Sequence, residues 1–278
     1  MKILFATDIC GNLSKYDELV NTVQFHKPQF VIISGILSGS NDIFLFDKIK
    51  IFLDKINNIC PILIQVGGLD TEEFENYFDE NISNDNLINI SNQNIEFDDI
   101  VIAGNKYVPD HPFRLKDRVR RDHTKVKHPV QLESPVISTK TGIKPLEDLD
   151  FYLTNRDTIE DELKKKIESI KDIKKTIWVS YAPPSDMMLD ILVSDINCGS
   201  VDVWKLANGD LTNNDQPSLI LSGWATNVPK YTYKWFEQHR DCCCVQPGQS
   251  DDNLNCVLIN MNDSGYAIYH SKYFPKRD

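Results

Sequence analysis

The sequence predicts an α/β fold: a layered sandwich of sheets and helices that ends in hairpin strands. Three observations predict it. Short apolar runs alternate with stretches of helical apolar spacing. The runs stay apolar along their length, as parallel strands covered on both faces do. The tail holds strand-like segments parted by the turn signals Pro247-Gly248 and Asp263-Ser264-Gly265.

Lys2–Ala6 reads as a buried strand, and Leu13, Tyr16, Leu19, Val20 and Val23 mark one face of a following helix. Phe30–Ser34 is a second strand, apolar until its last residue. Ile43 to Ile56 has helical spacing, and Pro61–Val66 returns to strand. Thr71–Phe78 reads as a short helix entered through Asp70 or Thr71 as its cap. Ile100–Ala103 is another strand, ended by Gly104. After an irregular stretch, Thr158–Ile170 is a charged amphipathic helix, Thr176–Ser180 a strand, Val201–Ala207 a helix and Ser218–Ser222 a strand. Asp241–Val245, Cys256–Asn260 and Tyr266–Tyr269 complete the tail. No repeat or low-complexity tract interrupts this order, so 1–278 is expected to be a single domain.

The composition narrows the function classes. The 278 residues are 41% hydrophobic and 26% charged, enough for a full core. A net charge of −11 argues against nucleic-acid binding by the surface as a whole. No apolar run approaches the roughly 18–20 residues of a membrane span, and Lys2 is followed by only a short apolar stretch before Asp8. An intracellular, cytoplasmic protein is expected. The seven cysteines (10, 60, 198, 242, 243, 244 and 256) form no disulfide pattern and are expected to be mostly small core residues. The six histidines are scattered, so no structural zinc site is expected.

Residues 105–150 break the rhythm. Between Arg114 and His128 stand seven basic residues, Arg114, Lys116, Arg118, Arg120, Arg121, Lys125 and Lys127, against two aspartates. One expectation is an exposed irregular insertion with solvated charges. The other is a basic arm that contacts an acidic partner, a phosphate-bearing ligand or an acidic face of this same protein.

Five short blocks each follow an apolar run: Asp8-Ile9-Cys10-Gly11-Asn12, Ser34-Gly35-Ile36-Leu37, Val66-Gly67-Gly68-Leu69-Asp70, Ser180-Tyr181-Ala182-Pro183-Pro184 and Ser222-Gly223-Trp224-Ala225-Thr226. Ligands collect at the carboxyl ends of strands in open α/β sheets, so blocks placed there can converge. In order and spacing they resemble the signature blocks of the calcineurin-like metallophosphoesterases: D-x-H-G-N, G-D, G-N-H-[DE], H-x-P-P and G-H-x-H. The resemblance runs from Met1 to about Asn260 and is weakest at 105–150. It implies a layered αββα sandwich of the metallophosphoesterase type. In that family two metal ions polarise a phosphoryl oxygen and activate a bridging water.

Carried over position by position, Asp8 matches the first metal-binding Asp, and Cys10 stands where the family has a metal-binding His. Ile36 replaces the bridging Asp. Gly68 and Leu69 replace the metal-binding Asn and the His that helps protonate the leaving group, while Asp70 keeps the family's acidic residue. Tyr181, Trp224 and Thr226 replace three further histidines. Gly11-Asn12, Gly35, Gly67, Pro183-Pro184, Gly199-Ser200, Gly223 and Pro247-Gly248 also match. The residues kept are those the backbone needs, and the residues lost are those metals need.

The resemblance therefore implies a catalytically inactive relative, a binding or scaffold module with an unidentified protein partner. No catalytic residue and no cofactor is expected. One alternative is a phosphoesterase with an altered site, holding a single Zn or Mn ion on Asp8, Cys10 and Asp70 or Asp42. Another is a phosphate-ligand sensor that uses the basic insertion. The blander roles are a cap or turn for Asp8 near the helix at Leu13, and a buried small residue for Cys10. Tyr181, Trp224 and Trp178 are expected to fill the emptied pocket or to line a recognition groove.

Overall fold

The apolar runs pair with one another as parallel strands. The computed structural model describes residues 1–38, 43–81, 84–122, 129–139, 141–193, 196–262 and 265–272. The first half of the chain gives β1 (Lys2–Thr7), α1 (Leu13–His26), β2 (Phe30–Gly35), α2 (Ile43–Asn57), β3 (Ile62–Val66), α3 (Glu72–Asn81) and β4 (Leu87–Asn89). Then come β5 (Asn94–Phe97), β6 (Ile100–Asn105), β7 (Val136–Thr139), β8 (Gly142–Pro145), α4 (Leu149–Thr154) and α5 (Ile159–Ile167). Next are β9 (Thr176–Ser180), β10 (Ile191–Val193), β11 (Ile196–Asn197), α6 (Val201–Asn208), β12 (Leu219–Ser222) and α7 (Val228–Thr232). The chain closes with β13 (Phe236–His239), β14 (Cys242–Val245), β15 (Cys256–Asn262) and β16 (Gly265–His270).

Among the described residues two six-stranded sheets form, in the orders β16-β15-β1-β2-β3-β4 and β13-β14-β12-β9-β6-β5. β1 to β4 are parallel, as are β6, β9, β12 and β14. Antiparallel strands flank both parallel cores.

Side-chain alternation along the strands explains the layers. Ile3 and Phe5 of β1 meet Ile177, Val179, Leu219 and Leu221 of the opposite sheet in a core between the sheets. Leu4 and Ala6 point the other way, into a core with Tyr16, Leu19 and Phe46 of α1 and α2. Trp178 and Ile220 face Leu163 of α5 and Leu206 of α6. Three cores in sequence make the αββα order. The Cys242-Cys243-Cys244 run follows the same period: Cys242 and Cys244 face the helices, and Cys243 lies between the sheets. Cys60, Cys198 and Cys256 are buried as well.

Helix starts follow local chemistry. Asn12 caps α1, the Thr71 hydroxyl accepts from the Phe74 N–H at the start of α3, and Thr158 with Asp161 forms a capping box on α5.

The chain ends in hairpin strands as expected: β13 with β14 in the second sheet, and β15 with β16 in the first. One expectation needs correction. Residues 105–150 are not irregular throughout. β7 and β8 form a hairpin, and some of the basic residues turn inward. Lys116, Arg118 and Arg120 are buried, Arg121 is half-buried, and Arg114 is exposed. Lys125 and Lys127 lie outside the described residues.

Lys116 pairs with Asp110 at 2.8 Å, and Arg118 pairs with Glu75 at 2.8 Å. Glu75 also takes Lys106 at 2.8 Å. Asp122 accepts from Ser200 and from the Val201 and Asp202 N–H groups at the start of α6. Of the roles open to the segment, contact with an acidic face of the same protein is the one Arg118 takes.

Glu75 sits at the centre of this stitching. Truncating one member of a buried ion cluster strands the others without a counter-charge, at a cost of about 3–5 kcal/mol. Glu75→Ala is expected to lower the unfolding free energy by that order in urea titrations. A loss below about 1 kcal/mol, the level of a surface pair, would contradict the assignment.

Candidate functional site

The five blocks meet at the carboxyl ends of β1, β2, β3, β9 and β12. The backbone of the first block follows that of the second, with the Cys10 N–H donating to Ile36 O at 2.9 Å and the Gly11 N–H to Leu37 O at 2.8 Å. Asp8 is buried where the two sheets approach. Its Oδ1 accepts from the Tyr181 hydroxyl at 2.9 Å and the Ile36 N–H at 3.2 Å. Its Oδ2 accepts from the Thr7 hydroxyl at 2.9 Å and the Trp224 N–H at 2.9 Å. Two oxygens with about four lone-pair sites thus receive four donors. Burial pushes the Asp8 carboxyl above its usual range, while the donors from Ile36, Thr7, Tyr181 and Trp224 pull it back.

Asp70 is buried beside it and ties the second block to the third. It accepts from the Leu37 N–H at 3.1 Å, the Gly67 N–H at 3.0 Å and the Ser38 N–H. Burial pushes its carboxyl up to about 7, against those N–H groups and Arg118.

Aromatic rings fill the middle. Tyr181 and Trp224 stand edge to face with centroids 5.5 Å apart, and His111 and Phe113 pack on Trp224 at 5.0 and 6.2 Å. A Cβ on Gly68 would lie 2.8 Å from the Trp224 ring and 3.2 Å from that of Tyr181, so no larger residue fits there beside them. Gly35, with φ +84°, passes so close to Asp8 that a Cβ would lie 2.4 Å from Oδ1. Burial, with Lys116 beside it, pushes His111 down to about 3, so its imidazole is neutral above that pH.

The backbone keeps strained turns here. Asp8, Cys10 and Trp224 have φ of 51°, 54° and 68°. Left-handed geometry is tolerated by Asp and is an outlier for a bulky residue such as Trp, with a cost of order 1–3 kcal/mol each.

Asp8, Ile36, Gly68, Tyr181 and Trp224 come together. Leu69 does not: it is 40% exposed and points no apolar bulk into the site. Thr226 is half-buried, and its carbonyl accepts from the Gln249 N–H beside the Pro247-Gly248 turn. Cys10 is exposed rather than buried, and its thiol is pushed up to about 12 by partial desolvation and the carboxylates of Asp8 and Asp70. Asp8 caps no helix, since Asn12 performs that task for α1. Trp178 and Tyr181 are fully buried in the core, whereas Trp224, packed on Tyr181, also lines a cavity of about 290 Å³ with His111 and Cys198.

Asp42 lies outside the described residues. Among the described residues no group of three or more His, Cys, Asp or Glu side chains is arranged to hold a metal ion. His111 and Glu75 were not singled out from the sequence. Neither carries a clear local signal: Glu75 finds Lys106 and Arg118, and His111 finds Trp224, far along the chain.

No family model matches the chain, and no curated protein matches it in sequence. Solved structures do match. One is 13% identical over 96% of this chain and 98% of its own, with a TM-score of 0.61. The protein TT1561 of Thermus thermophilus is 13% identical over 96% of this chain and 97% of its own, with a TM-score of 0.55. An archaeal phosphodiesterase gives a looser likeness, 12% identical over 97% and 99% of the two chains, with a TM-score of 0.41. Such identities establish a common fold and no common chemistry. The fold they share is a layered α/β sandwich, with two six-stranded sheets packed between helices.

Protonation of Asp70 gives a test of the site's electrostatics. An unfolded Asp titrates near 3.9, and Asp70 titrates at about 7 in the folded chain. The stability it contributes is complete below about pH 4 and is lost as pH rises through about 7. Unfolding free energies of the unaltered chain are therefore expected to fall relative to Asp70→Asn across that window. A difference that does not change with pH would contradict the assignment.

Proposed function

We propose that this chain is a catalytically silent protein of the metallophosphoesterase fold, and that it acts as a binding or scaffold module. The observation that carries the proposal is Asp8. It is the one residue of the ligand type that the blocks retain at a metal position, and its four acceptor sites are filled by Tyr181, Ile36, Thr7 and Trp224. A metal ion would have to displace these donors. The residues around it do not fit a two-metal centre: Ile36 and Gly68 offer no side-chain donor, and Trp224 puts an indole where an imidazole would bind. No hydrolytic step is derived from this donor set.

A scaffold role is supported by what the site does instead. Its carboxylates and rings lock the strand ends together, so the surface above is rigid and suited to preorganised contact. Fold alone names no partner.

The reading is tested by hydrolysis. Purified protein with Mn²⁺, Zn²⁺ or Mg²⁺ is expected to release no product from aryl phosphate monoesters or bis-aryl phosphodiesters beyond an Asp8→Ala control. Metal-dependent turnover that Asp8→Ala abolishes would refute it.

A further inference from the structure

Arg120 is the charge that nothing above explains. Its side chain is only 8% exposed, yet no carboxylate among the described residues lies within ion-pair distance of it. One terminal nitrogen donates to the carbonyls of Val119 at 2.8 Å and Asp117 at 3.3 Å, and the guanidinium lies over the Tyr107 ring at 4.1 Å. Burying a cation without an anion is costly.

Arg120 lines an open depression of about 480 Å³ together with Arg156. Arg156 also lacks a carboxylate partner among the described residues, and its guanidinium lies over the Tyr152 ring at 4.1 Å. Two carboxylates share the rim, Asp157 and Glu162, and both are engaged by Lys165, at 2.5 and 3.4 Å. Behind Arg120, Lys106 and Arg118 share the single carboxylate of Glu75. Lys166 is buried at its tip without a partner, and burial, with Lys106 nearby, pushes it down to about 8. In a chain of net charge −11 this is a local excess of cations around a cavity.

We propose that Arg120 and Arg156 form a binding site for a phosphoryl group, separate from the Asp8 cluster. Planar guanidinium forks match phosphate oxygens two at a time, and a dianion supplies the counter-charge for both arginines. The Tyr107 and Tyr152 rings hold the forks in fixed planes, which lowers the entropy lost on binding. The phosphoryl group can arrive as free phosphate or as a monoester.

Calorimetric titration of the full chain with inorganic phosphate and with ribose 5-phosphate separates these sources, with ribose and chloride at matched ionic strength as controls. The expected result is saturable binding of one or both phosphates that weakens as salt rises. Arg156→Ala is expected to weaken it by about tenfold or more, as loss of a charged hydrogen-bonding fork does. Arg120→Lys keeps the buried charge, loses the fork and is expected to weaken binding in the same direction. Arg156 is only half-buried, so its variant remains informative if the change at Arg120 impairs folding. Heats no larger than those of chloride, or binding that Arg156→Ala leaves within twofold, would overturn the proposal.

Discussion

Four donors meeting on one buried carboxylate hold the two sheets together at their carboxyl ends. Asp8 follows β1, and it receives Ile36 from the end of β2, Tyr181 from the end of β9 and Trp224 from the end of β12. The first two strands belong to one sheet and the last two to the other. A charge buried this deeply is stable only when its lone pairs are satisfied. At the end of β1 this carboxylate holds the protein's own backbone and hydroxyl groups. Each partner is consequently fixed in place, and with it the turn that carries it.

The residues around Asp8 are coupled physically. Trp224 and Tyr181 occupy the centre of the site, and Gly68 is the residue whose missing side chain makes room for them. Gly35 likewise lets the backbone pass against Asp8. Trp224 holds a left-handed backbone that a bulky residue adopts only when packing and hydrogen bonding over-determine it. Its N–H on Asp8 and its contacts with Tyr181, His111 and Phe113 supply that determination.

Much of the fold was legible because it is local. Runs such as Phe30–Ser34 are apolar until their last residue, which suits parallel strands covered on both sides. The glycines and prolines of the five blocks marked where those strands end. The short strands β4, β5 and β13 were not legible, since three or four residues give too little period and their pairing depends on distant neighbours. The basic run from Arg114 misled in a similar way. A charge in a sequence does not announce its counter-charge, and Glu75 and Asp110 are the partners that draw Arg118 and Lys116 inward. The residue types at the five strand ends were readable one by one, but the hydrogen bonding of Asp8 was not. Its donors include backbone N–H groups, which any sequence would offer.

The most direct measurement is metal content by elemental mass spectrometry after incubation with Mn²⁺ and Zn²⁺ and desalting. A carboxylate already saturated by four donors, with no metal-binding group of three His, Cys, Asp or Glu side chains among the described residues, predicts retention well below the one equivalent that even a single intact metal site would hold. A retained equivalent that disappears in Asp8→Ala would mean that the carboxylate is free for metal, and the account of Asp8 as a structural clamp would be wrong.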